Sequence, residues 1–325
     1  MKAIRARRYG TPHVLTLEEV DPPTPEGDQV LVEVRSAGLN PSDWHRMEGK
    51  IPMLRQAYGD PEPTDHTLGT DCAGTVVAVG KNVARFTVGD AVFGAAKGAL
   101  AEYAIATERN LVRKPENVPF VDAAAVPTGG LTALQGLRDH GRLVSGQRVL
   151  IVGASGGVGV AAVQIAKSFD AHVTAACSTT NTDMVRGLGA DDVIDYTAQD
   201  WDGTGPYDLI LDMVGDRPFD VYVKNLTPAG RMVSVGALGT DTTEHLAKLG
   251  AYKASAHGER VISFVAQFNT GDLEMLTQLM SSGALTSVID RTFPLAEIAS
   301  AMTMLGSKRT SGKVVVRVDR SPTRA

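Results

Sequence analysis

The sequence predicts an α/β protein in which β-rich chain is followed by a doubly wound parallel sheet. Three observations carry that prediction. From 149 to 265, short apolar strands alternate with helical stretches at the spacing of βαβ units. The first of these strands runs straight into a glycine-rich turn and then a helix. Before Val121 the texture differs, with alternating and β-branched segments broken by turn residues.

The elements follow in order. Segment 30–35 alternates as a strand with one buried face does. Segment 75–80 is β-branched and ends in Gly80, and 89–94 is a short strand framed by glycines. Pro22, Pro23 and Pro25 enforce an extended connection. The stretch 50–63, rich in Pro and Gly, is predicted to be a loop. Six strands are expected at 149–153, 172–177, 192–195, 208–213, 231–235 and 261–265. Helices fill 157–169, 182–188 and 219–226. The tail adds helices at 272–282 and 295–305 and a last strand at 313–318. No repeat of solenoid length is present.

Composition bounds the function. A chain of 325 residues allows roughly two domains of about 150 residues each. With 32 Lys and Arg against 37 Asp and Glu the net charge is −5, which argues against a nucleic-acid partner held by bulk positive charge. The 8 Phe, 7 Tyr and 2 Trp are too few for a base-stacking platform. Cys72 and Cys177 can build neither a disulfide framework nor a four-thiolate metal site, so a reducing, cytoplasmic setting is expected. Basic residues at 1–8 lead into no apolar stretch, and no apolar run reaches the ~18 residues of a membrane span, so neither a signal peptide nor membrane insertion is expected.

The clearest chemical signal is the strand 149–153 followed by Ala154-Ser155-Gly156-Gly157-Val158-Gly159 and the helix after it. This is the context a dinucleotide fingerprint requires. Gly156 lets backbone approach a pyrophosphate, Gly159 lets the helix pack on the strand, and the helix N-terminus offers its amides. Ala154 stands where the first glycine of the fingerprint belongs, and Gly153 can take over the tight turn. After the second strand an NAD-selective site places a carboxylate for the ribose 2′-hydroxyl. Here stand Ser178, Thr179, Thr180 and Asn181, with no carboxylate before Asp183, which favours NADPH. The same four residues can also cap the helix that begins near Thr182.

At this point the chain resembles a known family over nearly its full length: the zinc-free quinone oxidoreductase branch of the medium-chain dehydrogenase/reductase superfamily, the zeta-crystallin-like proteins. The resemblance is carried by Gly38-Leu39-Asn40-Pro41-Ser42-Asp43 and Leu68-Gly69-Thr70-Asp71-Cys72-Ala73-Gly74. Val88-Gly89-Asp90-Ala91-Val92-Phe93-Gly94, Val126-Pro127-Thr128-Gly129-Gly130, Gly189-Ala190-Asp191 and Ser311-Gly312-Lys313-Val314 continue it in the family's order. It implies a GroES-like catalytic domain split into 1–121 and 267–325, with an NADP-binding Rossmann domain at 122–266 between them. It also implies a homodimer that pairs the 261–265 strands edge to edge.

Zinc alcohol dehydrogenases of the same superfamily carry a Cys near position 40 and Gly-His-Glu near position 70. This chain has Asn40-Pro41-Ser42-Asp43 and Gly69-Thr70-Asp71 there, so no metal is expected. The one alternative ligand set, His45, His66 and Asp71, would need convergence that the sequence does not indicate.

By the same resemblance Asn40, Ser42 and Asp43 lie near the nicotinamide. Asn40 can hydrogen-bond a carbonyl or the ribose, and Asp43 and His45 are candidate proton sources. Cofactor positions carried over are Thr128 and Thr132, Tyr196 toward the adenosine 2′-phosphate, Val214 and Gly215, Val235, Gly236 and Ala237, Ser263, Phe264 and Val265, and Lys313. Relatives that reduce enoyl thioesters use a Tyr after the Asn-Pro motif. Residues 50–53 contain none, and Tyr58 lies further along.

The expected activity is hydride transfer from NADPH to a quinone or an α,β-unsaturated carbonyl. The alternatives are a dehydrogenase or reductase of a small alcohol or ketone, and a low-turnover, nucleotide-bound binding or structural protein.

Overall fold

The computed structural model describes residues 1–235, 247, 249–250, 252 and 258–318. The chain forms two units: Met1–Thr128 together with the chain from Phe268 onward, and Gly129–Gln267.

The first unit is built on β3 (Gln29–Gly38). Val30, Val32 and Val34 are essentially unexposed, in one apolar core with Val76, Val92, Val314 and Val316. Each such side chain contributes about 1.5–3 kcal/mol of hydrophobic stabilisation. The sheet adds β4 (Asp71–Val79), β5 (Ala91–Ala95), β7 (Leu111–Arg113), β14 (Ile289–Pro294) and β15 (Lys313–Arg317) in the order β14-β15-β3-β4-β5-β7, and β6 (Tyr103–Thr107) also pairs with β3. A ribbon of β1 (Lys2–Ala6) and β2 (Leu15–Glu19) stands apart from this sheet. Helix α1 (Pro41–Glu48) follows β3 directly.

One expectation is corrected here. The stretch predicted as a loop, 50–63, contains a helix, Pro52–Tyr58. Pro52 occupies the first helical position, where its missing N–H has no partner to lose, and Gly59 ends the helix at φ +121°. The first compact unit runs on to Thr128. The reason is packing: helix α3 (Phe120–Ala124) lies on β3 and β4, with the Ala124 carbonyl so close to Gly38 that no Cβ would fit.

The second unit holds a six-stranded parallel sheet in the order β10-β9-β8-β11-β12-β13. Its strands are β8 (Arg148–Val152), β9 (His172–Cys177), β10 (Asp192–Asp195), β11 (Tyr207–Asp212), β12 (Leu226–Ser234) and β13 (Val261–Ser263). The doubly wound sheet read from the sequence is therefore present. The chain winds outward from β8 through β9 to β10, then returns beside β8 with β11 and winds the other way. The reversal lies between β8 and β11, the place where open α/β sheets bind ligands at their carboxyl ends. Val149, Leu150 and Ile151 are fully buried, as strands covered on both faces must be. The strand expected to reach 265 stops at Ser263, leaving Phe264 and Val265 beyond the sheet.

The helix α5 (Gly159–Ser168) packs on β8 and β9 at a distance set by Gly159. A Cβ there would stand 2.3 Å from the Gly153 carbonyl oxygen and 2.6 Å from the carbonyl carbon of Ala154, which is backbone that cannot swing away. Gly159→Ala is expected to cost about 1–3 kcal/mol by overpacking, which is roughly 1.5–4.5 °C in Tm at this chain size. Gly187→Ala, where a Cβ would meet nothing within 4 Å, should leave Tm within about 1 °C. Thermal unfolding followed by circular dichroism checks both; equal Tm values for the two variants would refute the packing argument.

Candidate active site

Sheet register in the first unit gathers the polar residues. In the antiparallel pairing of β15 with β3, Val315 faces Gly38 and Val316 faces Ala37, so two steps back Lys313 falls opposite Asn40. In the pairing of β3 with β4, Gly38 faces Asp71. Three residues from distant parts of the chain thus meet at one end of the sheet.

There the Lys313 Nζ donates to Asn40 Oδ1 at 2.5 Å and to Asp71 Oδ2 at 3.5 Å. Asp71 also accepts from Thr128, whose Oγ1 donates at 2.5 Å and whose backbone N–H lies 3.2 Å from both carboxylate oxygens. Asn40 Nδ2 makes one long contact, to the Gly38 carbonyl at 3.5 Å. Asp71 is 0% exposed, and Asn40, Asp43 and Lys313 are 3–5% exposed. Charges this deep persist when each has a partner.

Asp43 serves the same residue from the other side. Its Oδ2 accepts the Asn40 backbone N–H at 2.9 Å and its Oδ1 accepts the Gly69 N–H at 3.2 Å. Burial pushes its carboxyl up to about 6, helped by the charge of Asp71 and opposed by the two backbone donors and Lys313. The structure therefore engages Asp43 as a clamp on the start of α1. His45, on the same helix, forms no hydrogen bond or ion pair with this cluster, and burial lowers its pKa. Ser42 is exposed at the first turn of α1. His66 turns away, its Nδ1 3.3 Å from the Ala6 carbonyl. Among the described residues no three of His, Cys, Asp and Glu stand close enough to share a metal ion.

In the second unit the described cofactor candidates other than Thr132 fall at the carboxyl ends of the parallel strands or on the loops that leave them. After β8, Gly153 has φ +84° and the Gly156 N–H closes on its carbonyl at 3.1 Å. So Gly153 makes the turn that Ala154, fully buried, does not. A Cβ on Gly156 would meet only that carbonyl, at 3.5 Å, leaving its outer face open. Ser155, Gly157 and Val158 are half-buried around it. The first amides of α5 have no intrahelical acceptor, so this turn fits a pyrophosphate.

After β9, Ser178, Thr180 and Asn181 hydrogen-bond one another, with Asn181 Nδ2 donating to the Ser178 Oγ at 3.1 Å. Thr179 is committed elsewhere: its hydroxyl donates to Asp195 at 2.7 Å. Parallel pairing places Asp195 beside Cys177, so a carboxylate stands at this turn although none appears in its local sequence. Hydrogen bonds from Thr179 and Thr197 hold Asp195 below the usual carboxylate range. Of the four polar residues at 178–181, Thr179 is thus engaged by a carboxylate from the neighbouring strand. Tyr196 follows Asp195, 57% exposed, with its N–H on the Cys177 carbonyl.

After β11, the N–H groups of Val214 and Gly215 donate to Asp212 at 3.0 and 2.9 Å, and the Tyr222 hydroxyl donates at 3.1 Å. Asp212 is fully buried, and that burial pushes it up to about 7 despite the three donors. Val235 follows β12, its N–H on the Asp212 carbonyl, while Gly236 and Ala237 lie outside the described residues. Ser263 ends β13, the Phe264 ring stacks on His140 at 4.1 Å between centroids, and Val265 is exposed. Thr132 is buried in the helix Pro127–Gln135.

Sequence comparison agrees with this architecture. A family model described as an alcohol dehydrogenase GroES-like domain matches residues 26–116, and one described as a zinc-binding dehydrogenase matches residues 188–316. The chain is 33% identical to a chloroplast envelope quinone oxidoreductase homolog of Arabidopsis thaliana, over 97% of this chain and 98% of the relative. It is 38% identical to the trans-enoyl reductase pgmF of Aspergillus terreus, over 91% and 90%. The solved structure of the quinone oxidoreductase from Coxiella burnetii superposes with a TM-score of 0.85 at 30% identity, covering 98% of this chain and 99% of that one. The chain belongs to the medium-chain dehydrogenase/reductase superfamily, and within it to the quinone oxidoreductase branch. It is an oxidoreductase.

The buried carboxyls set a pH dependence. Asp212 at about 7 and Asp43 at about 6 lie above the ordinary value of 3.8. Between pH 4 and 7 the folded state holds protons there that the unfolded chain has released, so stability falls as pH rises through that window. Asp212→Asn removes the larger contribution, on the order of a few kcal/mol. Urea unfolding at pH 4.5, 5.5, 6.5 and 7.5 should show wild type losing stability relative to this variant as pH rises. Parallel curves would contradict the burial argument.

Proposed function

We propose that the chain transfers hydride from NADPH to a quinone or an α,β-unsaturated carbonyl, and that it does so without zinc. The observation that carries this reading is the Lys313–Asn40 contact. At the position where zinc relatives carry a thiolate ligand, this chain presents a neutral amide fixed by a buried ammonium. When bound, NADPH supplies the hydride at its nicotinamide. The Asn40 amide N–H is the group that hydrogen-bonds the acceptor oxygen as negative charge builds on it, a form of oxyanion stabilisation. Quinones and activated enones accept hydride readily, so such a donor suffices where an unactivated ketone would need a stronger electrophile.

The cofactor is held by the 153–159 turn through its backbone, with Ser178, Thr180, Asn181 and Tyr196 at the adenosine end. With Thr179 tied to Asp195, the preference for NADPH over NADH is set at about tenfold, or ~1.4 kcal/mol. An enoyl substrate is favoured by likeness to the Aspergillus reductase. A tyrosine donor for it is not evident, since the Tyr58 ring lies under the Arg46 guanidinium at 4.2 Å.

The test is NADPH oxidation by chelator-treated protein with a quinone, an enone and a secondary alcohol–ketone pair. Turnover with the first two, unchanged by chelation, is expected. Stoichiometric zinc whose removal abolishes turnover, or activity confined to the alcohol, would sink the reading. Ser178→Asp should reverse the tenfold cofactor preference in dissociation constants read by nucleotide fluorescence.

No described helix is long and apolar enough to cross a membrane. A reducing, cytoplasmic setting suits the two free, buried cysteines. β13 ends the sheet order with an uncharged edge, and we assign a homodimer to the pairing of two such edges. Light scattering at micromolar concentration should return twice the chain mass of 34.3 kDa; a monomer would refute it.

A further inference from the structure

We propose that Asp71 is a positioning residue for the reaction, acting through Lys313 to hold the Asn40 amide with its N–H end toward the acceptor. This rests on the functional reading above. An amide side chain has two orientations of nearly equal shape, one presenting oxygen and one presenting nitrogen. The Lys313 ammonium has three donors and no acceptor, so it tolerates only the Asn40 oxygen at 2.5 Å. The nitrogen is thereby turned the other way, where its one contact among the described residues, to the Gly38 carbonyl at 3.5 Å, is long and leaves donor capacity unused.

Asp71 fixes the ammonium in turn. Its Oδ2 faces Nζ at 3.5 Å, and its Oδ1 is anchored by the Thr128 hydroxyl at 2.5 Å and amide at 3.2 Å. The carboxylate is fully buried, so it has no solvent-facing alternative to this arrangement. Asp43 holds the backbone of the same asparagine at 2.9 Å. Asn40 is therefore held at its main chain by one carboxylate and at its side chain by an ammonium that a second carboxylate holds. A purely structural tie between β15 and β3 needs no such set, because buried ion pairs contribute little beyond what apolar packing would.

The experiment compares full-length wild type with Asp71→Asn, Lys313→Met, their combination, and Thr128→Val, using NADPH and the acceptor that wild type turns over fastest. Tm and the NADPH dissociation constant are measured beside kcat and KM, at a temperature well below every Tm. Each of the first two substitutions should lower kcat about 30-fold or more, approaching the ~10²–10³ cost of losing an oxyanion donor outright. NADPH affinity should stay within about threefold in Asp71→Asn. The combination should be no more than about threefold worse than the poorer single variant, since both act on one amide. Thr128→Val removes one hydroxyl and should lower kcat roughly threefold to tenfold; it keeps the question open to decision if the charge variants do not fold. A fall in Tm with kcat retained overturns the proposal, as do multiplicative losses in the combination. Wild type without turnover on any acceptor overturns the functional reading and this inference together, whereas active wild type with unimpaired variants overturns this inference alone.

Discussion

The pairing of β15 with β3 is the constraint on which the rest of the first unit depends. Only this register sets Lys313 opposite Asn40 and beside Asp71. The three groups are mutually required. An unpaired ammonium or carboxylate at this depth is strongly disfavoured, so each charge is kept where it is by the other. Thr128 completes the account by satisfying the Asp71 oxygen that the ammonium does not reach. The same sheet end thus joins four parts of the chain: the strand that ends at Gly38, the one that starts at Asp71, the segment around Thr128, and the closing strand.

The second unit is organised by a different kind of constraint, one of space rather than charge. Gly153 and Gly159 let β8 turn into α5 with backbone nearly touching backbone. That closeness places the amides of a helix N-terminus at the carboxyl end of the innermost strand. Asp212 does a comparable service on the other side of the switch point. By accepting from Val214 and Gly215 it shapes the loop after β11, and it does so as a fully buried group whose proton is held up to about pH 7. Shape at this sheet edge is therefore partly a matter of protonation.

What the sequence disclosed, and what it withheld, follows from range. The glycine turn, the six strands and the helices between them are local patterns, and each survives into the structure within a residue or two, except that β12 begins at Leu226, well before the expected start at 231. The family motifs around Asn40 and Lys313 were visible as well. Their mutual contact was not, because antiparallel register between residues 273 apart leaves no mark on either segment. Asp71 was readable as the residue standing in a metal-ligand stretch, but not as the partner of a lysine. The approach of Asp195 to Thr179 was hidden for the same reason, since parallel neighbours meet through a crossover of unpredictable register. The helix Pro52–Tyr58 is not legible because Pro and Gly read locally as breakers, whereas at the first position and just past the end they delimit a helix.

The split origin of the first unit also bears on how the molecule is made. The strands β8 to β13 each find a neighbour within a contiguous stretch, so the second unit can assemble as it leaves the ribosome. The first cannot. At bacterial-to-eukaryotic elongation rates of about 5–20 residues per second, the 273 residues that separate Asn40 from Lys313 take roughly 15–55 s to synthesise. Throughout that interval the end of β3 has an open hydrogen-bonding edge, and Asp71 has a carboxylate without its counter-ion. A nascent chain stalled or truncated before β15 is consequently left with a half-built sheet and without Lys313. Such a product is a substrate for chaperones rather than a partly functional enzyme.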